Sequence, residues 1–141
     1  MGRVVAIDYG QKRTGIAHTD ELQMIATGLT TVATQDIFTF LKDYMQRETV
    51  ECFVVGEAKQ LNNRPAESAK FIEPFVKKLE KEYPAIPVRR IDERFTSKIA
   101  FQTMIDSGLK KKQRQDKALV DTISAALILQ TYLQQKELQN I

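Results

Sequence analysis

The sequence has no tryptophan, one histidine, one cysteine and four prolines in 141 residues. A single cysteine, Cys52 in the apolar run "CFVV", excludes an internal disulfide and reads as a small buried hydrophobe. One cysteine and one histidine cannot supply the usual ligand set of a zinc site. A Ser-His-Asp or Cys-His arrangement would have to pass through His18, which lies on an expected strand with no nucleophile or acid obviously paired to it, so a structural role is expected. Long apolar runs are also missing. "VVAI" at 4–7 is too short for a signal-peptide core, and "AALILQTYL" falls far below the roughly 20 residues of a membrane span. A cytoplasmic protein with no membrane partner is expected.

What is present fits one domain, 1–141, because a chain of this length typically buries about two thirds of the surface it exposes when unfolded. The 43% hydrophobic and 28% charged content is ordinary for a globular protein. The net charge of +3 is unevenly spread: residues 1–60 carry 6 basic and 8 acidic side chains, residues 88–117 carry 9 basic and 4 acidic. The second segment points to a polyanionic partner, with a solvated basic face as the alternative.

Periodicity sets out the elements. Residues 3–9, 13–19 and 24–33 read as three strands separated by the turn-forming "YGQK" and "TDEL", hence as an antiparallel meander. Thr34 is a cap candidate for a helix through "QDIFTFLKDYMQRE". "ECFVVG" is a strand, followed by a polar loop and a helix beginning near Ala66 with Phe71, Phe75, Val76 and Leu79 at helical spacing. "IPVRRI" is a strand leading into Asp92. "TSKIAFQTMIDSG" reads as a helix from Thr96 to Gly108, and Asp116 can cap a long, mostly apolar helix. The class is α/β, in the order βββαβαβαα, with helices on the faces of a five-stranded mixed sheet.

Several acids stand where packing alone would prefer something else. Asp8 ends the first strand and Asp92 and Glu93 end the last, while Asp121 lies inside the last helix, too far from Asp116 to serve as its cap. On its helix face Asp121 has Lys117, Ala118, Ser124 and Ala125 as neighbours; three of these are small and let that face approach a sheet edge closely. Carboxylates gathered from strand ends and one helix hold hard cations such as Mg²⁺ or Mn²⁺, which can activate water for phosphodiester cleavage. Each acid has a plainer role available: turn hydrogen bonds for Asp8, pairing with Arg89, Arg90 or Arg94 for Asp92 and Glu93, and pairing with Lys117 for Asp121. Glu57, following the fourth strand, either joins the cluster or is solvated.

Taken together, "AIDYGQKRTGIA", "FVVGEAKQLNN", "IDERFTSKIA" and "KALVDTISAALILQTYL" resemble the YqgF/RuvX-like family of pre-16S rRNA nucleases, also described as Holliday-junction resolvase-like. The resemblance spans about residues 3–135 and implies an RNase H-like fold and a metal-dependent nuclease. Asp8 matches the family's strand-one D-x-G aspartate, Asp121 the aspartate of its last helix, and Asp92 and Glu93 its D-E-R acidic pair. The catalytic set it implies is Asp8, Glu93 and Asp121. The metal set is Asp8, Asp92, Glu93 and Asp121, with Mg²⁺ or Mn²⁺ as cofactor; which of Asp92 and Glu93 is the ligand stays open. Lys12 and Arg13 match basic residues of the first hairpin. With Arg64, Arg94, Lys110, Lys111, Lys112, Arg114 and Lys117 they form the expected nucleic-acid contacts, largely sequence-independent and salt-sensitive. Glu57, Ala58 and Lys59 depart from the family's pattern after Gly56.

The partner implied is pre-rRNA or branched DNA, with ribosome-assembly factors alongside; junction resolution would add a homodimer, since two strands must be cut together. Two other classes compete. "DYGQKRTG" has the D-x-G-x-x-x-x-G spacing of actin-like ATP-binding phosphotransferases, but 141 residues provide one lobe and those enzymes close two. A non-catalytic module binding pre-ribosomal RNA would need the basic segment and not the acids.

Overall fold

The computed structural model describes residues 2–57, 69–93 and 116–139, without the side chains of Lys117 and Gln139. Five strands form one sheet: β1 (Arg3–Asp8), β2 (Arg13–Thr19), β3 (Ala26–Ala33), β4 (Val50–Glu57) and β5 (Val88–Asp92), in the spatial order β3-β2-β1-β4-β5. β1, β2 and β3 pair antiparallel as the meander predicts, and β4 and β5 add in parallel beside β1. Parallel strands need crossovers, and these run through α1 (Ile37–Arg47) and α2 (Ala69–Glu82). A long helix, α3 (Lys117–Gln139), completes the described chain. No helix among the described residues is long and apolar enough to cross a membrane.

Strand alternation divides the core into two layers. Val5, Ile7, Ile16, Phe53 and Val55 face α1 and α2, meeting Ile37, Leu41, Tyr44, Ile72, Phe75, Val76 and Leu79. Val4, Ala6, Ala17, Cys52, Val54 and Ile91 face α3 and meet Ala125, Ile128 and Leu129. Both faces are covered, which is why β1 and β4 read as continuous apolar runs. The helices thus lie on both sides of a mixed sheet, the expected architecture.

Some local expectations change. Thr34 does not cap a helix. Its hydroxyl donates to the Gly10 carbonyl at 2.6 Å and accepts from Thr14, and a short 3₁₀ turn at Thr34–Asp36 precedes α1. Phe71 is 39% exposed with the Lys70 ammonium over its ring, and the buried stripe of α2 runs through Ile72 instead. α3 packs onto the sheet through Ala125, Ile128 and Leu129, as its apolar sequence leads one to expect. Asp116 does cap it, its Oδ1 accepting from the amides of Ala118 and Leu119 at 3.1 and 3.3 Å. His18 is structural: its Nδ1 lies 2.7 Å from the Tyr44 hydroxyl, and burial lowers its pKa. The helix expected over 96–108 lies outside the described residues.

Candidate active site

The sheet layer facing α3 ends in carboxylates. Asp8 closes β1 on the same side as Val4 and Ala6, and it pairs in register with Gly15 of β2. On the other flank Gly56, one residue before the end of β4, is in register with Ile91, two residues before Glu93. A Cβ on Gly56 would run into the Glu93 carboxylate, so the missing side chain is the space that carboxylate fills. Glu93 thereby lies over β4 and shares a hydrogen bond with Asp8. Burial, then the Glu93 charge and the shared bond, and then the charge of Asp121 hold Asp8 well above the ordinary carboxylate range. Burial also raises Glu93, while the bond to Asp8 and the Arg90 charge pull it down.

Asp121 arrives from α3 at the same edge. The helix can come this close because β2 and β3 carry glycine beneath it. A Cβ on Gly15 would collide with the Asp121 main-chain carbonyl, and one on Gly28 would lie 2.6 Å from Thr122 Cγ2. Gly28 sits at the register shift between β2 and β3, where a bulge re-aims the chain. Thr31 fastens the helix further, its hydroxyl donating to the Ala118 carbonyl at 2.7 Å and lying 2.7 Å from the Thr122 hydroxyl. Asp121 is then met by Arg13, whose Nε donates to Oδ2 over 3.0 Å. Arg13 is 40% exposed and Asp121 25%. The turn that delivers Arg13 is tight: a Cβ on Gly10 would strike the Arg13 carbonyl, and the Thr34 amide donates to the Lys12 carbonyl at 3.0 Å.

The structure therefore brings together Asp8, Glu93 and Asp121, with Arg13 beside them. Asp121 pairs with Arg13 across 108 residues of sequence. Arg90, considered as a partner for Asp92 or Glu93, forms a two-pronged bond with Glu73 of α2 at 2.6 and 2.8 Å, and its charge also acts on Glu93. Strand alternation puts Asp92 on the side of Arg90, in register with Glu57 and opposite the Asp8 side. Lys12 is exposed in the β1–β2 turn. Arg64, Arg94, Lys110, Lys111, Lys112, Arg114 and the Lys117 side chain lie outside the described residues. Gly15, Gly28 and Gly56 were not singled out from the sequence as site residues, although isolated glycines inside strand patterns are the signal of a close approach.

Among the described residues no three His, Cys, Asp or Glu side chains come to metal-holding spacing. The donors nevertheless suit a hard divalent cation. They are all carboxylate oxygens, and Mg²⁺ is commonly held by one or two carboxylates plus waters and phosphate. Adjacent carboxylates raise one another's pKa, and a divalent cation between them would relieve that repulsion.

A family model described as RuvX, Holliday junction resolvase, matches residues 2–135. A Flavobacterium psychrophilum protein carrying the name "Putative pre-16S rRNA nuclease" is 60% identical over 136 residues, 96% of this chain and 99% of that one. A Parabacteroides distasonis protein of the same name is 57% identical over 139 residues, 99% of each. Among solved structures, Thermus thermophilus RuvC in complex with Holliday junction substrate superposes with a TM-score of 0.55 at 20% identity, covering 96% of each chain. Thermus thermophilus RuvC alone gives 0.56 at 19%, covering 95% of this chain and 96% of that one. At that identity the likeness is one of fold.

Proposed function

The chain belongs to the RuvX Holliday junction resolvase family, and from that premise we propose that it is a divalent-metal-dependent nuclease acting on structured nucleic acid, its substrate the 5′ end of pre-16S rRNA. The observation that carries this reading is the Asp8 and Glu93 carboxyl pair, held at the end of the sheet with Asp121 alongside. Packing has no use for such a pair, and both acids are held above their ordinary range by their surroundings. Displaced carboxyl pKa values gathered in one place are the mark of a functional site.

Asp8, Glu93 and Asp121 would hold Mg²⁺ or Mn²⁺. Such ions supply an activated water and stabilise the leaving oxygen of the phosphodiester. Glu93 rather than Asp92 takes the ligand role, because it faces Asp8. The chain's own part is to present oxygens from rigid elements, β1, the end of β5 and α3, so that little reorganisation accompanies loading. A divalent cation between them would favour the ionised form of both Asp8 and Glu93. Lys12 and Arg13 lie on the turn beside the acids and are the proposed phosphate contacts nearest the cut. Arg64, Arg94, Lys110, Lys111, Lys112, Arg114 and Lys117 would extend that contact along the backbone, with binding that weakens steeply as salt rises.

The relatives' name, pre-16S rRNA nuclease, favours RNA, whereas the family's description and fold favour a second reading, resolution of branched DNA. A cleavage assay with Mg²⁺ or Mn²⁺ compares pre-rRNA fragments, four-way DNA junctions and single strands, with EDTA and Asp8→Asn as controls. Metal-dependent cutting of the rRNA fragment that both controls abolish is the expected result. Cutting that survives both would remove the site assignment, and cutting of junctions alone would select the second reading.

A further inference from the structure

Arg13 meets one of the three site acids, Asp121, in an ion pair, and its backbone is held on both sides while its side chain stays partly exposed. Gly10 packs beneath its carbonyl and Thr34 clasps the residue before it. The guanidinium itself is 40% exposed and makes one bond, Nε to Asp121 Oδ2. An ion pair this open to water is worth little, so exchanging it takes little free energy. Asp121 is one of the oxygens a divalent cation needs, and one carboxylate oxygen cannot serve guanidinium and metal equally. A guanidinium also suits phosphate, which it grips with a planar fork of donors.

Resting on the nuclease reading above, we infer that Arg13 is the resident cation of the metal-free site: it holds Asp121 until a divalent ion takes that carboxylate, and it then passes to a phosphate of the bound strand. Arg13 is on this account a positioning residue for Asp121 first and a phosphate contact second. Metal and nucleic acid become coupled through it. A strand that captures the guanidinium frees Asp121 for metal, and metal that captures Asp121 frees the guanidinium for the strand, so each tightens the other by the same factor. Loading is thereby favoured when substrate is present.

The test titrates Mn²⁺ alone into nucleic-acid-free protein and follows free Mn²⁺ by electron paramagnetic resonance. Arg13→Gln is expected to bind Mn²⁺ about fivefold tighter than the parent. Its cleavage at low nucleic-acid concentration is expected to fall, because the phosphate contact is lost. Opposite signs in the two readouts are diagnostic, since a merely structural lesion would not tighten metal binding. Mn²⁺ affinity that is unchanged or weaker in Arg13→Gln overturns the inference. If that variant does not fold, Arg13→Lys, which keeps the charge without the planar fork, is expected to tighten Mn²⁺ binding about twofold, and no tightening there overturns it equally. Asp8→Asn separates the two claims. If it leaves Mn²⁺ binding untouched, the nuclease site itself is misassigned; if it abolishes binding while Arg13→Gln changes nothing, only the Arg13 inference fails.

Discussion

The two faces of the sheet are built on opposite principles. Towards α1 and α2 the layer is thick and aromatic: Phe53, Leu41, Tyr44 and Phe75 fill it, and Tyr9 stacks on Phe75 with ring centroids 4.4 Å apart. Towards α3 it is thinner, mixing Ala6, Ala17, Cys52 and Ala125 with the aliphatic Val4, Val54, Ile91, Ile128 and Leu129 and no fully buried aromatic, with glycines at 15, 28 and 56 marking the closest approaches. Burial stabilises in proportion to apolar area, so the thick face supplies most of the hydrophobic stability. The thin face gives up area and gains proximity. All three candidate site acids lie on it, because only there can a helix backbone lie against the strands that end in Asp8 and lead to Glu93.

If that division holds, mutations on the two faces should separate stability from cleavage. The largest stability effect belongs to the thick face. Leu41 is fully buried, and Leu41→Ala should cost about 3 kcal/mol in urea unfolding while leaving cleavage per folded molecule intact. On the thin face Gly15→Ala should cost about 2 kcal/mol, because its Cβ meets main chain that has to shift, and cleavage should fall with it as Asp121 moves. Stability loss there with unaltered cleavage would mean that the thin face is ordinary packing. Gly56→Ala is the sharper lesion. The nearest atoms its Cβ meets are those of the Glu93 side chain from Cγ to the carboxylate rather than main chain, so unfolding should change by less than about 1 kcal/mol while cleavage drops about tenfold.

Much of this was legible in the sequence, and the reasons are local. Runs such as "VVAI" and "CFVV" announce strands covered on both sides, and Asp8, Asp92 and Glu93 stand out because an acid at the end of a buried strand needs a partner. The small residues around Asp121 correctly signalled a close helix approach. What could not be read is tertiary: Arg13 finding Asp121 across 108 residues, and Gly56 making room for Glu93. Thr34 shows the same limit. A hydroxyl before a helix is a cap by local rules, but here the Gly10 carbonyl of the neighbouring turn competes for it and wins. Which of Asp92 and Glu93 lies on the Asp8 side follows only from the register of β5 against β4, which single-residue alternation leaves ambiguous until the pairing is known.

The central claim is that the acids at the end of the thin face are kept for chemistry and strain the fold that carries them. Asp8 is held above its unfolded value, so between the two values the native protein binds more protons than the unfolded chain. Stability therefore falls as pH rises through that window, and at neutral pH ionising Asp8 opposes folding. The direct measurement is thermal unfolding of the parent and Asp8→Asn in chelator from the ordinary carboxylate range up to neutral pH, paired with Mn²⁺-dependent cleavage. The account predicts that Asp8→Asn melts higher at neutral pH, depends less on pH across that window, and does not cleave. A variant that melts lower at neutral pH and still cleaves would contradict it.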